Sequence, residues 1–432
     1  MAYTGQLMGR WLYSLLVYVL LPVVLAFFFY RSISDPRYRR GLRERLGYPG
    51  CQPPPGSIWV HAASVGEAIA AIPVIREILT SMANRAVMVT TMTPTGAERI
   101  RVAFGDSVYR CYLPYDAPHL VKRFLSRISP GMLIILETEL WPNLIHTCYR
   151  HNVPVVLANA RMSEGSARGY ARFRFLSRPL FSELDWVAAQ AAPDAERFCQ
   201  LGVPQERITV IGSIKYDVAI ADRDRQEARR LRDAIGRGRP VWIGASTHEG
   251  EDELLLEAHE RLLQRVPGAL LVLVPRHPER FEGVFSMIQG RGLSAARRSV
   301  RDDPADASAY LADTMGELLM LLGVADVVFM GGSLIERGGH NPLEAAAWSL
   351  PVLTGPHVFN FASVFAQLSE NNGAQEVRTV SEIVSALSAL LLHEDARYSM
   401  GRNANAVVAA NRGALEKLVA GITERASGSA FA

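Results

Sequence analysis

The sequence has few cysteines and lacks several common motifs of catalysis and nucleotide binding. Its four cysteines, Cys51, Cys111, Cys148 and Cys199, are widely spaced and form no Cys-x-x-Cys pair. This argues against a zinc site or a redox dithiol and is typical of a reducing compartment. No Gly-x-Gly-x-x-Gly fingerprint follows the first predicted strand of either half, and no Walker A sequence occurs, so dinucleotide and P-loop sites lose support. A Gly-x-Ser-x-Gly elbow is also missing, which argues against a serine hydrolase.

The sequence also has no convincing metal motif and no polybasic segment suited to nucleic acid. Asp222-Arg-Asp224 resembles the Asp-x-Asp pair of metal-dependent nucleotide-sugar enzymes, but it lies in a charged stretch and follows no predicted strand. We therefore interpret it as the solvated start of a helix. We predict no metal, no other cofactor and no nucleic-acid partner.

Charge is distributed unevenly along a chain of otherwise ordinary composition. Hydrophobic residues make up 49% of the chain and charged residues 21%, which is typical of a globular protein. The net charge of +3 conceals a basic N-terminal segment. Residues 1–50 hold seven Arg against two acids, a net charge of +5, so the remaining residues sum to −2.

The longest apolar run precedes most of that basic charge. Residues 11–30 are apolar apart from Ser14 and contain one central Pro22. About 20 such residues span a hydrocarbon core as a helix, and basic flanks stay cytoplasmic. Six arginines follow within 31–45, so we predict that residues 1–31 anchor a cytosolic protein to the membrane. A monotopic or buried helix stays open as an alternative, because Pro22 and the aromatic-rich end fit shallow insertion.

Two series of short apolar runs alternate with helical patterns, which predicts two α/β domains with parallel sheets. The length of 432 residues fits two domains, with a cleft between them. We predict a first domain at 32–218, a linker at 219–240 and a second domain at 241–432, whose last helix could pack back on the first. The predicted strands are 58–62, 86–91, 132–136, 153–158, 186–189 and 208–211, then 241–244, 269–274, 325–330 and 351–354.

Glu67 lies where the first predicted strand turns into a helix. Ligands in open α/β sheets usually bind outside the carboxyl ends of the strands, so this position makes Glu67 a candidate general base. The segment Ser64-Val-Gly-Glu67 also fits a capping box, in which Ser and Glu satisfy the first free amides of a helix. Both interpretations stay open at this point.

Further polar segments follow other predicted strands. Glu137-Thr-Glu139 places two acids at a strand end, either beside Glu67 or as solvated acids or a helix cap. In the second half, Arg276 and His277 follow a strand, and Arg is suited to gripping a phosphate. Ser246 and Thr247 lie at the same rim.

Two helix starts in the second half also suggest anion or hydroxyl binding. Asp313-Thr-Met-Gly-Glu-Leu318 could offer free amides to an anion. In Asn341-Pro-Leu-Glu344, Asn341 could cap a helix and Pro342 could be its first residue. Taken singly, Asn341 and Glu344 also fit simple caps.

The segment 161–178 is rich in arginine, with Tyr170, Phe173 and Phe175 interleaved and Glu164 as its one acid. An amphipathic segment of that composition can meet anionic lipid headgroups. The alternative is a solvated basic helix that packs its aromatic residues on the core.

Taken together, seven segments resemble the Kdo transferases. These enzymes transfer 3-deoxy-D-manno-octulosonic acid (Kdo) from CMP-Kdo to the lipid A precursor of Gram-negative bacteria. The resemblance covers nearly the whole chain, in order, including the N-terminal apolar run. Its segments are Ser64-Val-Gly-Glu67, Glu137-Thr-Glu139-Leu-Trp-Pro-Asn143, Asn159-Ala-Arg-Met-Ser-Glu164, Gly212-Ser-Ile-Lys215-Tyr-Asp217, Pro275-Arg-His277-Pro, Asp313-Thr-Met-Gly-Glu-Leu318 and Gly339-His-Asn-Pro-Leu-Glu344.

The resemblance implies a GT-B glycosyltransferase with two Rossmann-like domains, the acceptor on the first and the CMP-sugar on the second. By motif, Glu67 corresponds to the general base, with Glu139 and Lys215 as transition-state supports. Ser213 departs from the pattern, since Asn is expected there. The CMP-binding positions implied by the resemblance are Arg276, His277, Met315, Gly316, Glu317, Asn341, Pro342, Leu343 and Glu344.

The expected function is transfer of Kdo to the lipid A precursor, lipid IVA, at the cytoplasmic face of the bacterial inner membrane. We expect metal-independent, inverting displacement, with membrane lipids contacted through residues 11–30 and the basic segments. One alternative is another GT-B glycosyltransferase with a UDP-sugar donor and a lipid acceptor. Another is a non-catalytic, membrane-anchored binding scaffold.

Overall fold

The structure is a computed structural model that describes residues 2–34 and 41–428. Arg37, Arg39 and Arg40 of the predicted basic segment lie outside the described residues. The chain divides into two compact units. Unit 1 comprises the described parts of Met1–Ile214 and Arg412–Ala432, and unit 2 comprises Lys215–Asn411.

Unit 1 contains a seven-stranded parallel sheet with helices on both faces. Its strands are β1 (Ile58–His61), β2 (Val87–Thr91), β3 (Tyr109–Tyr112), β4 (Met132–Leu136), β5 (Val155–Ala160), β6 (Trp186–Ala189) and β7 (Ile208–Val210). Its helices up to β7 are α1 (Ala2–Ser34), α2 (Leu42–Arg45), α3 (Val65–Ser81), α4 (Pro94–Phe104), α5 (Pro118–Ile128), α6 (Pro142–Arg150), α7 (Glu164–Arg172), α8 (Arg174–Ser182) and α9 (Ala192–Leu201). The strand order is β3-β2-β1-β4-β5-β6-β7.

Unit 2 repeats this architecture. Its strands are β8 (Val241–Thr247), β9 (Leu270–Pro275), β10 (Ala295–Arg297), β11 (Ala309–Leu311), β12 (Val327–Met330), β13 (Val352–Thr354) and β14 (Ala374–Glu376). Its helices are α10 (Asp222–Ile235), α11 (Glu251–Leu263), α12 (Phe281–Gly290), α13 (Leu318–Leu322), α14 (Leu343–Ala347), α15 (Ala362–Glu370), α16 (Val380–Leu392) and α17 (Glu394–Asn411). The sheet is parallel throughout, in the order β10-β11-β9-β8-β12-β13-β14. The prediction of two parallel α/β domains is confirmed.

Alternation along the central strands explains why each sheet is covered on both faces. In β1, Ile58 and Val60 belong to one hydrophobic core, whereas Trp59 belongs to the core on the other face. Successive side chains of a strand point to opposite faces, so a strand that is apolar throughout must be covered on both. The carboxyl ends of the strands are left as the edge where polar side chains can gather.

Two segments near the domain boundaries have defined places in the fold. Residues 219–240, predicted as a linker, contain α10, which begins at Asp222 and buries Leu231 and Ile235 in the core of unit 2. After unit 2 the chain returns to unit 1 as α18 (Ala414–Gly428), the helix expected to pack back on the first domain. Leu418 and Ile422 of α18 are buried in the core that also contains Ile58.

Helix α1 lies against unit 1 through polar as well as apolar contacts. The Tyr13 hydroxyl donates to Asp116 Oδ2 at 2.9 Å, and the Ser14 hydroxyl donates to Asn143 Oδ1 at 2.9 Å. The Tyr18 hydroxyl lies 2.7 Å from His119 Nδ1. Further along, the helix packs beside the buried cluster of unit 1 around α5 through its apolar residues Val17, Leu21, Val24 and Leu25.

The opposite side of α1 is apolar and exposed. Trp11 and Phe29 are each 70% exposed, and Leu15 and Val19 are more than half exposed. Among the described residues, Gly9–Arg31 is the one stretch long and apolar enough to cross a membrane. The helix therefore has one face bound to the protein and another that no described residue covers.

Candidate active site

Glu67 is held at the end of β1 by the first turn of α3. Ser64 is the N-cap of this helix, and its hydroxyl accepts from the Glu67 N–H at 3.3 Å. The same hydroxyl donates to Glu67 Oε1 at 2.7 Å, and the Ala63 N–H donates to Oε2 at 2.8 Å. The capping interaction suggested by the sequence is therefore present. Because each carboxylate oxygen has two acceptor sites, capping leaves both oxygens able to accept another hydrogen bond.

The surroundings of Glu67 make it more basic than an ordinary carboxylate. The residue is 7% exposed. Burial raises the pKa of Glu67, the hydrogen bonds from Ser64 and Ala63 oppose this rise, and the charge of Glu137 adds to it. A general base works best when its pKa approaches the working pH, so this environment suits a carboxylate that must take up a proton.

Two further acids follow β4, the strand next to β1. Glu137 has a left-handed backbone with φ of 59°, and its N–H donates to Ala158 O at 2.9 Å. Burial raises the pKa of Glu139, and the charge of Glu67 raises it further. The structure thus brings Glu67, Glu137 and Glu139 into one acidic group at the carboxyl ends of neighbouring strands.

Asn159, at the end of β5, shares the unusual backbone of Glu137. It also has a left-handed backbone, with φ of 53°, and is fully buried. Its Oδ1 accepts from the Ile214 N–H at 3.2 Å, and its Nδ2 has no acceptor among the residues that the structure describes. Non-glycine residues with positive φ cluster at functional sites, so β4 and β5 both mark this edge.

In unit 2 the corresponding edge is basic and is built around three histidines. His248 follows β8, and its Nε2 lies 2.9 Å from His340 Nε2, with the rings stacked at 5.2 Å. His277, after β9, packs edge-on against His248 at 5.3 Å between ring centroids. Burial, helped by the charges of neighbouring side chains such as Arg276, lowers the pKa of His248 and His340 to about 4. Both rings are therefore neutral at pH 7, and one Nε2 can donate to the other, which accepts.

A buried carboxylate holds the glycine-rich loop beside these histidines. Glu251, at the start of α11, is fully buried and accepts from the N–H groups of Gly332, Ser333 and Leu334 at 2.7 to 3.0 Å. It also accepts from the His248 N–H at 3.0 Å. One carboxylate thus fixes two neighbouring segments of the rim.

Close approach explains the glycines of that loop. A Cβ atom at Gly331 would lie 2.6 Å from Ser246 O, closer than real Cβ atoms come. Gly332 has φ of 71°, which favours glycine. The loop after β12 can therefore pass directly over the end of β8.

Arg276 is the cation of this edge best placed for a ligand. Its N–H donates to Thr247 O at 2.9 Å, which fixes its backbone next to β8. Within the described chain, no acid pairs with its guanidinium. Arg280, by contrast, pairs with the buried Asp252 and donates to Thr247 O. Arg276 is therefore the arginine of the two that can bind an external anion.

In the turn before α13, the carboxylate of Glu317 is bonded to other residues of the protein. The Glu317 carboxylate pairs with Arg298 at 3.0 Å and accepts from the Thr314 hydroxyl. The hydrogen bond from Arg298 lowers the pKa of Glu317. Gly316 has φ of 84°, and Met315 is 50% exposed. A ligand at this turn would therefore meet the backbone and Met315 rather than a free carboxylate.

The segment before α14 differs slightly from the expectation. Asn341 Oδ1 accepts from the Leu343 N–H at 3.1 Å, but Asn341 lies one position before the N-cap. Pro342 is the N-cap residue rather than the first helical one, and α14 begins at Leu343. Burial raises the pKa of Glu344, whose carboxylate has no hydrogen bond or ion pair among the described residues.

The sequence matches one family over nearly its whole length. A family model described as 3-deoxy-D-manno-octulosonic-acid transferase matches residues 40–218. The 3-deoxy-D-manno-octulosonic acid transferase of Haemophilus influenzae is 42% identical over 417 residues, covering 95% of this chain and 97% of that protein. The enzyme of the same name from Bordetella pertussis is 34% identical over 424 residues, with 95% and 98% covered.

The chain belongs to the Kdo transferase family. It is therefore a glycosyltransferase that transfers Kdo in lipopolysaccharide biosynthesis, and the resemblance noted in the sequence is confirmed.

Solved structures support the GT-B fold of this Kdo transferase. A UDP-GlcNAc 2-epimerase from Neisseria meningitidis has a TM-score of 0.57 at 13% identity, covering 85% of this chain and all of that one. A glycosyltransferase from Rickettsia africae has a TM-score of 0.54 at 11% identity, covering 87% of this chain and all of that one. At such identities the likeness concerns the fold alone.

The site residues expected from the family fall into both units. Glu67 and Glu139 belong to unit 1, whereas Lys215 is the first residue of unit 2 and lies exposed in the short turn Ile214–Tyr216. The donor positions from Arg276 to Glu344 all belong to unit 2.

The sequence analysis did not single out Glu251 or the pairing of His248 with His340. The available signal for Glu251 was an acid three residues after His248, at a helix start. The two histidines are 92 residues apart, so no local pattern could pair them.

Proposed function

We propose that this Kdo transferase moves Kdo from CMP-Kdo to lipid IVA, with Glu67 as the general base. The observation that carries the proposal is the burial of Glu67, with its raised pKa, within an acidic group at the carboxyl end of β1. Family membership supplies the transferred sugar. The acceptor, the nucleotide and the role of each residue are the proposed part.

On the acceptor side, a glucosamine hydroxyl is a poor nucleophile until its proton is removed. In the proposed step, the hydroxyl oxygen bonds to the anomeric carbon of Kdo while its proton passes to the Glu67 carboxylate. Hydrogen bonds from Ser64 and Ala63 hold that carboxylate in one orientation. Glu139 and Lys215 are proposed as supports of the transition state.

On the donor side, the bond from the anomeric carbon to the CMP phosphate breaks, and the phosphate oxygen keeps the electron pair. Arg276 and His277 are proposed to bind this phosphate, since preorganised cations stabilise charge that develops on a leaving group. Met315, Gly316 and Glu317, with the segment from Asn341 through Pro342 and Leu343 to Glu344, are proposed to position the rest of the nucleotide. A phosphate that is already a good leaving group needs no metal. Attack from the opposite face inverts the anomeric carbon.

We further propose that α1 lies in the cytoplasmic face of the inner membrane without spanning it. The contacts of Tyr13, Ser14 and Tyr18 with unit 1 support this arrangement, because a helix bound along its side to a globular unit cannot also cross the hydrocarbon core. The exposed face around Leu15 and Val19 supplies apolar area for insertion.

A second membrane contact is proposed at α7 and α8. We call the exposed residues Arg168, Arg172, Phe173, Arg174 and Phe175 the basic-aromatic surface. Helix α7 has no buried residue, and Phe173 and Phe175 are 53% and 46% exposed. Exposed aromatic rings between arginines suit an anionic lipid surface, so this arrangement favours the lipid interpretation over packing on the core.

The test of the catalytic proposal is Kdo transfer to lipid IVA with CMP-Kdo generated in the assay, with products resolved by mass. Glu67→Gln keeps a carbonyl oxygen to accept from Ser64 or Ala63 but cannot take up the proton. We expect kcat to fall about 10²- to 10⁴-fold with a small change in thermal stability. Retained activity in Glu67→Gln would refute the base assignment.

The same assay separates the alternatives. Thermal protection by CMP supports the proposed donor, whereas protection by UDP alone would favour another GT-B enzyme. A binding scaffold would show no transfer with either donor.

A further inference from the structure

Unit 1 contains an apolar groove beside the proposed catalytic acids. It has a volume of about 610 Å³ and lies among α1, the loop after β4, and helices α7 and α8. Pockets for small organic groups have volumes of this order. The apolar side chains that line it are Leu140, Trp141, Tyr170, Phe173, Leu176 and Leu180.

Three hydroxyl groups of the groove wall are used inside the protein, whereas the buried Nε1 of Trp141 has no hydrogen-bond partner among the described residues. The Tyr13 hydroxyl donates to Asp116, and the Ser177 hydroxyl donates to Tyr170 O at 2.8 Å. The Thr138 hydroxyl donates to Arg161 O. A bound molecule would therefore contact mainly carbon atoms, although Thr138, Ser177 and Tyr13 all line the groove.

Charge decides which part of a phosphorylated glycolipid fits. No Lys or Arg is among the described residues that line the groove, and Glu139 is its one acid. A phosphate would be repelled by Glu139 and would find no cation, and Trp141 Nε1 is the one buried side-chain donor of the described lining that has no partner. An uncharged hydrocarbon chain fits both features.

We propose that this groove binds one acyl chain of the lipid acceptor. The inference rests on the proposed function, because it assigns part of the same substrate. It makes α1 one wall of a substrate site, through Tyr13, in addition to its membrane role.

The position of the groove supports this occupant. Phe173 lines the groove and is also part of the basic-aromatic surface. Gly9 of α1 packs directly on Phe175, where a Cβ atom would lie 2.9 Å from the ring. A chain leaving the bilayer at this surface can thus enter the groove without crossing water. Glu139, at the groove, belongs to the acidic group of Glu67, so a bound chain would lead towards the base.

The groove is expected to contribute more to the positioning of the acceptor than to the free energy of binding. A chain drawn from the hydrocarbon of a bilayer gains little by burial, because it is already out of water. Its value is positional, since it restricts where the attached glucosamine hydroxyl can lie. For an acceptor dissolved in water, each buried methylene would improve binding about fourfold.

The first experiment fills the groove at Gly169. A Cβ atom there would meet no atom within 4 Å, so Gly169→Phe can add a ring without backbone strain. Gly165→Phe, on the same helix and outside the groove lining, is the matched control, and the melting temperature of both variants checks folding. We expect Gly169→Phe to lower the ratio of kcat/KM for tetraacylated acceptor to that for deacylated acceptor about tenfold. Equal losses on the two acceptors, or none, would overturn the proposal.

The second experiment measures binding without transfer. An acceptor carrying a photoreactive diazirine at the end of an acyl chain is cross-linked in vesicles, and the labelled peptides are identified by mass. We expect label on the residues that line the groove, within 138–142 and 166–180 or at Tyr13, in the wild type and its loss in Gly169→Phe. If the wild type transfers Kdo but its label lies outside the groove, the groove proposal is overturned and the proposed function still stands. Label in the groove of a wild type that transfers no Kdo would overturn the proposed function instead.

Discussion

The two units use the same strand-end positions for opposite chemistry. At the carboxyl ends of β1 and β4, unit 1 gathers Glu67, Glu137 and Glu139, whereas unit 2 gathers histidines and Arg276 after β8, β9 and β12. Burial pushes Glu67 and His248 towards their uncharged forms, raising the pKa of Glu67 and lowering that of His248 to about 4. A common α/β frame thus leaves the chemistry to a few residues at the strand ends, as parallel sheets generally do.

Removing the proposed anion-binding charge of unit 2, at Arg276, is the strongest test of this contrast. We expect Arg276→Ala to lower kcat/KM about 10²- to 10³-fold and to weaken thermal protection by CMP. Arg276→Lys should restore only part of the lost kcat/KM, because Lys cannot form two parallel hydrogen bonds to a phosphate. Arg261→Ala, which removes an exposed helix arginine paired with Glu257, is the control and should stay close to wild type. An active Arg276→Ala would show that the phosphate is held elsewhere.

Buried neutral histidines should make the fold sensitive to acid. His61, at the end of β1, is fully buried, and burial lowers its pKa to about 4. Between pH 6.5 and 4 the unfolded chain binds a proton that the folded one does not, so the free energy of unfolding falls as the pH falls. The loss should approach about 3 kcal/mol at pH 4 from this group alone. Urea titrations of wild type and His61→Leu across this range should show a shallower pH dependence in the variant, and identical slopes would contradict the assignment.

Unit 1 also carries basic charge, on the basic-aromatic surface, whose Phe173 lines the same groove as Glu139. Replacing Arg168, Arg172 and Arg174 with Gln should weaken binding to anionic vesicles by about 1 kcal/mol per arginine at most. Activity on vesicle-embedded acceptor should fall about tenfold, whereas activity on acceptor in neutral detergent should change little. Unchanged activity on vesicles would exclude this surface as a membrane contact.

The smallest expected effect concerns the acidic group of unit 1 and the dependence of kcat on pH. Glu137→Gln removes a negative charge that raises the pKa of Glu67. The base then stays ionised to lower pH, so the acid limb of the profile of kcat against pH should move to lower pH. An unchanged limb, or one shifted to higher pH, would show that the charge of Glu137 does not act on the catalytic base.

Most strands in continuous apolar runs could be predicted from the sequence, whereas β3, β10, β11 and β14 were missed. The apolar run of β4, Met132–Leu136, was predicted residue for residue. By contrast, β3 (Tyr109–Tyr112) was missed because it lies at the sheet edge and includes the exposed Tyr109 and the half-buried Arg110. Position in the sheet does not decide this alone, because the edge strand β7 was predicted within 208–211 and the buried, internal β11 was missed.

The candidate site could be predicted where one segment supplies its chemistry. Glu67 became a candidate base because a strand turns into a helix there, and the structure contains the capping interaction that competed with the catalytic interpretation. Contacts between distant segments could not be found in this way. The Tyr13 bond to Asp116 joins residues 103 apart, and no local pattern distinguishes such a helix from one that crosses the membrane alone.

The return of the chain to unit 1 as α18 has a consequence for biosynthesis. Leu418 and Ile422 complete the core beneath β1, so unit 1 lacks part of its interior until residues 414–428 have left the ribosome. All of unit 2 is synthesised before then and can fold first, since its core is built from residues 215–411. The apolar α1 emerges before either sheet. During translation the nascent chain therefore carries an exposed apolar helix on an unfinished unit, so the proposed membrane contact of α1 is available before the core of unit 1 is complete.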